Sequence, residues 1–301
     1  MRRTALLGLG VTCATATCIP PLGPGDSLIA STRILAVRAD PAEADPGSSV
    51  TFTSFVASPE GTVTEAHVVW NFCTAAKPLT ENGIVASACL GSSSLVAAGE
   101  GPSTTAVTPS DGCSVFGPDS VSAGLLAPAP DATGGYYQPL RADLAGADTT
   151  FELARIHCNL ADADLAAASA FAAAYTLNLN PQLLALTATL DGAPVQLTAI
   201  PTGARIILEA SWPAASAETF AYFDPVSQTV TTQRESMQVA WYSSGGTLDT
   251  ESTGRASNDP ATTTDNGWDA PADPGVVHLW IVLRDSRGGV DFATYDLMVG
   301  D

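Results

Sequence analysis

Residues 276–299 read VVHLWIVLRDSRGGVDFATYDLMV, and they predict a β-hairpin. In the first arm apolar side chains alternate with others, which places them on one face of a strand. These apolar residues are Val277, Leu279, Ile281 and Leu283. Asp285–Gly289, between the two arms, is rich in residues that favour turns. We therefore expect an antiparallel sheet near the C-terminus.

Similar runs of β-branched and aromatic residues recur upstream, separated by turn-forming Gly, Pro, Asp and Ser. In the N-terminal half they occupy 34–38, 49–56, 65–73 and 150–158. In the C-terminal half, before the hairpin, they occupy 205–212 and 235–242. Short strands at this spacing predict antiparallel β-sandwiches. Because the two halves repeat the same kind of segments, we expect two related sandwich domains.

Several of these segments resemble a known family. They are the middle strands with Trp70 and Trp241, SMQVAWYSSGGTLDTESTGRA (236–256), DNGWDAP (265–271) and GVVHLWIVLRDSRGGVDF (275–292). They are similar to immunoglobulin-like and PKD-like β-sandwich domains of uncharacterised surface lipoproteins from high-GC Gram-negative bacteria. The resemblance covers residues 31–73 and 181–301. It implies a mainly β fold and a surface location but no reaction. The C-terminal domain departs from the antibody-type pattern, since it has no cysteine pair around its tryptophan.

The composition divides the chain into five parts. These are a signal peptide ending in a lipobox-like sequence (1–18), a tether (19–30), an immunoglobulin-like domain with a disulfide-stapled long insertion (31–160), a helix and linker (161–180), and an immunoglobulin-like or PKD-like domain (181–301). The insertion is the Ser-, Gly-, Pro- and Ala-rich stretch 74–135.

One helix is predicted between the two domains, at 161–176. Asp162 and Asp164 lie near its start, where carboxylates favour the helix dipole. One face carries Leu165, Ala168, Ala172 and Tyr175. We expect this face to pack between the two sandwiches.

The N-terminus has the pattern of an export signal. A short basic stretch, Met1–Thr4, precedes 13 apolar residues, Ala5–Thr17, which are too few to span a bilayer as a helix. The end of this stretch, Thr15-Ala-Thr-Cys18, resembles a lipobox, although Leu is usual in place of Thr15 and Gly or Ala in place of Thr17. Cys18 is therefore the predicted lipidation site.

Two outcomes of export remain open. Lipidation at Cys18, followed by Ile19 rather than Asp, resembles sorting to the outer membrane. Cleavage by ordinary signal peptidase at Ala14-Thr15-Ala16 would instead release a soluble protein to the periplasm or the medium.

The cysteine count supports an oxidising compartment. Loss of Cys13 with the signal and lipidation of Cys18 leave four of six cysteines, which predicts two disulfides. Four cysteines allow three pairings, and we favour Cys73–Cys89 with Cys113–Cys158, because each bridge then closes its own loop. A zinc site is disfavoured, since no two cysteines are two to four residues apart.

Candidate sites are few. The chain has no GxSxG, SxxK, HExxH or Walker motif, so we assign no catalytic residue. A turn-rich acidic loop is a weak calcium candidate, because calcium binds carboxylate and backbone oxygens. Its carboxylates are Asp259, Asp265, Asp269 and Asp273. Aromatic residues that stack on sugars would be Tyr136, Tyr137 and Trp268. The histidines, which are His67, His157 and His278, lie in strand patterns and are expected to be packed or at the surface.

Charge limits the class of partner. Twelve Lys and Arg face 31 Asp and Glu, a net charge of −19, which disfavours nucleic acid and anionic bilayers. We expect a non-enzymatic envelope lipoprotein with a structural or adhesive display role. Its partners would be outer-membrane lipid, through the acyl anchor, and an unknown surface protein or glycan. The alternative is a secreted or periplasmic carbohydrate-binding or enzyme-accessory protein.

Overall fold

A computed structural model describes residues 26–78, 80–82, 85–117 and 132–300. The predicted signal peptide, the lipidation site Cys18 and the tether residues 19–25 lie outside these ranges. Within them, no helix is long and apolar enough to cross a membrane.

The N-terminal domain is an antiparallel sandwich. Its strands are β1 (Arg33–Asp40), β2 (Glu43–Ala44), β3 (Ser49–Ser58), β4 (Gly61–Thr62), β5 (Val68–Cys73), β6 (Leu95–Glu100), β7 (Ser103–Val107), β8 (Gly135–Leu144) and β9 (Thr150–His157). A 3₁₀ turn at Ser87–Cys89 and helix α1 (Gly112–Phe116) lie in the insertion.

These strands form two sheets. The first has the order β1-β3-β4 with β7 also on β3, and the second has the order β2-β9-β8-β5-β6. Strand β2 runs parallel to β9, while the other pairs are antiparallel. Trp70 on the middle strand β5 is fully buried and packs in a core with Phe52 and Leu140. Its indole N–H donates to the carbonyl of Gly101 at 2.9 Å, so the polar end of the ring is satisfied.

The C-terminal domain repeats this plan. Its strands are β10 (Thr187–Leu190), β11 (Ala193–Pro194), β12 (Ile200–Pro201), β13 (Arg205–Ser211), β14 (Thr219–Asp224), β15 (Thr229–Arg234), β16 (Met237–Ser243), β17 (Thr247–Leu248), β18 (Ser252–Arg255), β19 (Thr263–Asp269), β20 (Gly275–Asp285) and β21 (Val290–Gly300). A 3₁₀ turn lies at Ala214–Ser216. Strands β14 and β15 form a separate hairpin.

The strand order identifies the fold. One sheet has the order β11-β10-β13-β19-β17 and the other β12-β21-β20-β16-β18. The short strand β12 is parallel to the last strand β21, as β2 is to β9. Trp241, on the middle strand β16, corresponds to Trp70 and is also fully buried. Both domains are therefore immunoglobulin-like β-sandwiches, and the prediction of a mainly β fold with two disulfides is confirmed.

The predicted hairpin is present as β20 and β21. Its alternating apolar residues all point into the C-terminal core. The opposite face of β20 is buried as well, because Trp280 and Val282 contact the N-terminal domain. A strand buried on both faces explains the nearly continuous apolar run in its sequence.

The two domains pack side by side through these outer faces. The apolar contact combines Ile29, Leu35, Ala36, Phe55 and Ala57 with Trp280, Val282 and Val290. The rings of Phe55 and Phe292 stack at 4.3 Å. The indole N–H of Trp280 donates to the hydroxyl of Thr62 at 2.9 Å. A buried apolar seam with satisfied polar edges holds the domains together.

Two expectations need correction here. Residues 26–30 were assigned to a tether, but Leu28 pairs with Ser243 of the C-terminal domain and Ile29 is fully buried. Ile29 is drawn into the seam because burying an aliphatic side chain removes its surface from water. These residues therefore belong to the folded unit.

The helix also differs from its prediction. Helix α2 (Leu165–Ala174) begins at Asp164, whose carboxylate accepts from the N–H of Ala167 at 2.7 Å. It packs on the β14–β15 hairpin through Ala167 and Phe171, whereas Leu165 is 85% exposed. Of the predicted face, Ala168, Ala172 and Tyr175 line a cavity next to the end of β9, whereas Leu165 does not pack. The fully buried positions were missed because an almost wholly apolar helix does not let periodicity select one side.

Candidate functional site at the domain junction

A set of buried charged and polar side chains lies where the two domains and the linker meet. We call it the junction cluster. Its members are Glu43, Arg155, Tyr175, Asn178, Glu218, Glu235, Asp285 and Arg287. Strands β2 and β9, the linker, the two ends of the β14–β15 hairpin and the turn between β20 and β21 supply them.

The N-terminal half of the cluster centres on Glu43. Its carboxylate lies 3.0 Å from Nε of Arg155, and both side chains are fully buried. The backbone N–H of Asn178 donates to Oε2 of Glu43 at 2.8 Å, and the hydroxyl of Tyr175 donates to Oε1. Burial, together with the charge of Glu43, raises the pKa of Tyr175 above its ordinary value. One carboxylate thus fixes the linker against the first domain.

The C-terminal half centres on Arg287. Its guanidinium donates from Nε to Glu235 at 2.7 Å and from Nη2 to Glu218 at 2.9 Å. Nη1 donates to the backbone carbonyl of Thr176 in the linker at 3.0 Å. The planar group also lies 4.9 Å from the ring centre of Phe220. This arginine therefore ties the hairpin, the linker and the second domain together.

Asn178 joins the halves. Its backbone binds Glu43, and its side-chain Nδ2 donates to Asp285 at 3.3 Å. Asp285 also accepts the backbone N–H groups of Arg287 and Gly289, each at 2.8 Å. A Cβ at Gly289 would lie 2.1 Å from Asp285, so this turn requires glycine.

The cluster holds more carboxylates than cations. Two guanidinium groups face four carboxylates, which are those of Glu43, Glu218, Glu235 and Asp285. Burial raises the pKa of Glu235 to about 7, and the nearby charge of Asp285 adds to the effect. Burial also raises the pKa of Asp285. Chemically, the arrangement joins three segments of chain, and burial favours the protonated form of Glu235.

A small cavity lies beside the cluster. It measures about 290 Å³ between α2 and the end of β9, and its walls include His157, Phe171 and Tyr175. The imidazole of His157 stacks on the ring of Tyr175 at 4.3 Å, and its Nδ1 lies 3.1 Å from Asp45. This volume is at the lower limit for small-molecule pockets.

The disulfides lie in the N-terminal domain. Cys73 is bonded to Cys89 and Cys113 to Cys158, and each bridge closes its own loop, of 16 and 45 residues. The second bridge attaches α1 to the end of β9, next to the cavity. The insertion is thereby tied to the sandwich at both ends of its described part.

The acidic residues proposed for calcium do not come together. Asp265 and Asp269 lie on the same strand, four residues and about 13 Å apart by strand rise. Asp269 pairs with Arg205, and Asp259 pairs with Arg255. Among the described residues no three His, Cys, Asp or Glu side chains are grouped as a metal site. The extended backbone separates Asp265 from Asp269, and calcium binding by this loop stays a prediction.

The aromatic candidates for sugar stacking are not exposed. Trp268 is fully buried, and its indole N–H donates to the carbonyl of Gly245 at 3.1 Å. Tyr136 is buried, and the half-buried Tyr137 lies beneath the guanidinium of Arg155 at 5.9 Å. Their rings are used in packing, which is the commoner role of aromatic side chains in sandwiches.

The other histidines make surface contacts. His67 lies 3.4 Å from Glu100 and is largely exposed, while His278 lies 2.8 Å from Asp296. No sequence motif predicted the junction cluster. The available signals were a charged residue between apolar neighbours in a strand, as at Arg155, and an arginine inside a glycine-rich turn, as at Arg287.

Comparison with known proteins gives distant structural similarity only. No protein-family model matches the sequence, and no curated protein sequence matches it. The D00-D0 domain of intimin aligns with 90% of this chain and 99% of its own length at 12% identity and a TM-score of 0.26. The Yersinia pseudotuberculosis adhesin InvE aligns with 91% of this chain and 61% of its own length at 12% identity and a TM-score of 0.23. Activated Escherichia coli alpha-2-macroglobulin aligns with 92% of this chain and 22% of its own length at 11% identity and a TM-score of 0.22. With scores this low, the immunoglobulin-like assignment rests on the strand order described above.

Proposed function

We propose that this protein is a non-enzymatic lipoprotein of the cell envelope, anchored through Cys18 in the outer membrane, whose two sandwiches form one rigid display unit. Its role is structural or adhesive, toward a surface protein or glycan. The observation that supports this proposal most directly is the fixed side-by-side packing of the domains.

Three contacts make the packing rigid. The apolar seam covers the outer face of β20. The junction cluster locks the linker against both domains at one end. Beside the cluster, the ion pair of Arg38 with Asp291 at 3.1 Å and the bond from Arg284 to the carbonyl of Leu35 at 3.1 Å cross the seam. Farther along β20, the bond from Trp280 to the hydroxyl of Thr62 also crosses it.

The chain enters this unit at a defined end. The backbone N–H of Asp26 donates to Glu251 at 2.8 Å, and Leu28 pairs with Ser243. Ser243 pairs with Leu279 of β20, six residues and about 20 Å before Asp285 of the junction cluster at the usual rise per residue. Seven residues separate Cys18 from Asp26 and reach at most about 25 Å. In this proposal, an anchor at Cys18 holds the end of the unit with Ser243 toward the lipid, and the junction cluster lies farther along β20.

The test is the intact mass of the protein from native membranes, with Cys18→Ala and Cys13→Ala as matched variants. We expect a wild-type mass that begins at Cys18 and carries acyl chains. Cys18→Ala should release the protein from the membrane, and Cys13→Ala should leave it anchored. Antibody labelling of whole cells then reports whether the unit faces outward. A lipid-free wild-type protein that begins near Thr17 would overturn the anchor and favour the soluble carbohydrate-binding or accessory alternative.

A further inference from the structure

Residues 175–180 of the linker are held in place by charged side chains more than by apolar burial. The backbone N–H of Asn178 donates to Glu43 at 2.8 Å, and the N–H of Leu179 donates to Glu218 at 3.0 Å. Leu177 and Leu179 are 47% and 61% exposed. The docking of this segment therefore depends on the state of the charged groups beneath it.

Two further carboxylates of the junction cluster meet at Arg287. Glu235 accepts from its guanidinium Nε at 2.7 Å, and Asp285 accepts from its backbone N–H at 2.8 Å. Both carboxylates are buried. The same guanidinium also bonds to Glu218, so its single positive charge is divided between two carboxylates. Full negative charges on both Glu235 and Asp285 are therefore only partly compensated.

Buried like charges oppose each other's ionisation, and these two carboxyl groups follow that rule. Burial raises the pKa of Glu235 to about 7, and the charge of Asp285 adds to the rise. Burial also raises the pKa of Asp285, although hydrogen bonds from backbone N–H groups lower it in part. The pair therefore carries its second negative charge only when the pH approaches 7.

The linker contacts this pair through Asn178, where its hold is weak. The side-chain Nδ2 of Asn178 lies 3.3 and 3.4 Å from the two carboxylate oxygens of Asp285, which is long for a hydrogen bond. Its Oδ1 is buried and has no hydrogen-bond partner among the described residues. Because an unsatisfied buried oxygen costs free energy, release of Asn178 lets water reach both its amide and Asp285.

We propose that the junction cluster is a pH-sensitive switch for the linker, in which a proton on the Glu235–Asp285 pair keeps residues 175–180 docked and its loss releases them. Release lets water solvate both carboxylates, which removes the cost of burying a second charge. The apolar seam is a separate contact, so the sandwiches stay side by side when the linker moves. This inference does not depend on the lipid anchor or on the partner.

Other ionisable groups surround the pair on several elements. Arg155 and Arg287 keep their charge across the pH range of interest. His157 needs a control, because its imidazole stacks on Tyr175 at the start of the linker and imidazoles change charge near neutral pH. The remaining groups are Glu43 on β2, Asp45 after it, Tyr175 in the linker, Glu218 before β14 and Arg284 on β20.

The test is amide hydrogen exchange of the full chain between pH 5 and pH 8, with the intrinsic exchange rate corrected for pH. Peptides within 175–180 report the linker, and peptides of β16 report the core of the C-terminal domain. Docking raises the pKa of Glu235 from 4.5 to about 7, so the open fraction of the linker should increase roughly thirtyfold from pH 5 to pH 7 and little above pH 7. The linker should be less protected than β16 at each pH, because its release is local.

Four variants identify the ionising group. Glu235→Gln should reduce the increase in the open fraction to less than about threefold. Asp285→Asn removes the smaller contribution, so the increase should be intermediate. Glu209→Gln, at an exposed carboxylate of β13, and His157→Gln are the controls, and both should retain the wild-type increase. Circular dichroism melting at pH 5 checks that each variant is folded.

Three results would overturn the proposal. One is linker exchange that does not change between pH 5 and pH 7. Another is linker protection equal to that of β16 at every pH, which would mean that only the whole domain opens. The third is a wild-type increase in Glu235→Gln, or its loss in His157→Gln, which would place the ionising group elsewhere.

Discussion

The two sandwiches share one strand order but are stabilised in different ways. The N-terminal core is built around a single tryptophan, Trp70, and two disulfides secure its long insertion. The C-terminal core has no disulfide and contains three tryptophans, Trp212, Trp241 and Trp268. Large buried rings supply much apolar area, so this domain holds without a covalent link. The comparison shows that strand order and source of stability are separable within one chain.

The junction cluster is a third source of stability, besides the disulfides and the buried tryptophans. Removing its central cation should have the largest effect on the free energy of unfolding. Arg287→Met deletes a buried cation and leaves Glu235 and Glu218 without their partner. Loss of one partner of a buried ion pair costs about 3–5 kcal/mol. Chemical denaturation should show this loss. A double variant, Arg287→Met with Glu235→Gln, should recover part of it, and no recovery would contradict a charge-based origin.

Reduction of the disulfides should have the next largest effect, and it should destabilise the N-terminal domain more than the C-terminal domain. Each bridge is expected to contribute about 2–4 kcal/mol to the free energy of unfolding. After reduction, hydrogen exchange should accelerate in β5, β8 and β9 more than in β13, β16 and β19. Equal acceleration in both domains would mean that the seam, rather than the bridges, sets the stability of the first sandwich.

The seam itself has a smaller expected effect. Phe55→Ala removes a buried, stacked ring from the seam and should lower the free energy of unfolding by about 3–5 kcal/mol at most. Limited proteolysis should then cut between the domains, within 159–180. Thr51→Ala, on an exposed part of the same strand, is the matched control and should change neither property.

The pH dependence has a defined sign. The pKa of Glu235 is raised to about 7 in the folded state and is near 4.5 when unfolded, so the folded protein binds the extra proton. The contribution of Glu235 to the free energy of unfolding is therefore fully present below about pH 4.5, and it is lost as the pH rises to about 7. Between pH 5.5 and pH 8 the wild-type melting temperature should decrease more than that of Glu235→Gln. Identical slopes would exclude Glu235 as the source.

The smallest effect is expected at the acidic loop. Asp269 is half exposed in its pair with Arg205, and exposed ion pairs contribute little. Asp269→Asn should leave the melting temperature almost unchanged. Calcium added in excess to EDTA-treated protein should also leave it unchanged, because the four carboxylates are apart. A clear rise with calcium would show that the loop rearranges to bind the ion.

The sequence predicted the local features well, because each depends on neighbours in the chain. Alternation marked the strands, such as β16 and β20, and glycine-rich turns marked their ends. The same alternation placed Trp70 and Trp241 on middle strands. Helix α2 was predicted within 161–176 from the aspartates near its start and its apolar spacing, but its buried positions were not, since an alanine-rich helix is apolar on nearly every side.

The candidate site depended on contacts far apart in the chain. Glu43 and Asn178 are 135 residues apart, and Asn178 and Asp285 are 107 apart. No short pattern records that such residues meet, because their carboxylates and amides look like ordinary surface groups until the domains fold back on each other.

The sequence by itself determined that this chain forms two β-sandwiches with a helix between them, because side-chain alternation and turn residues act over a few positions. Only the tertiary structure decided that the sandwiches lie side by side, that Ile29 is buried rather than in a tether, and that the charged groups of the junction cluster meet. These features arise when distant apolar faces and charged groups satisfy each other, and the energy of such contacts is a property of the assembled fold.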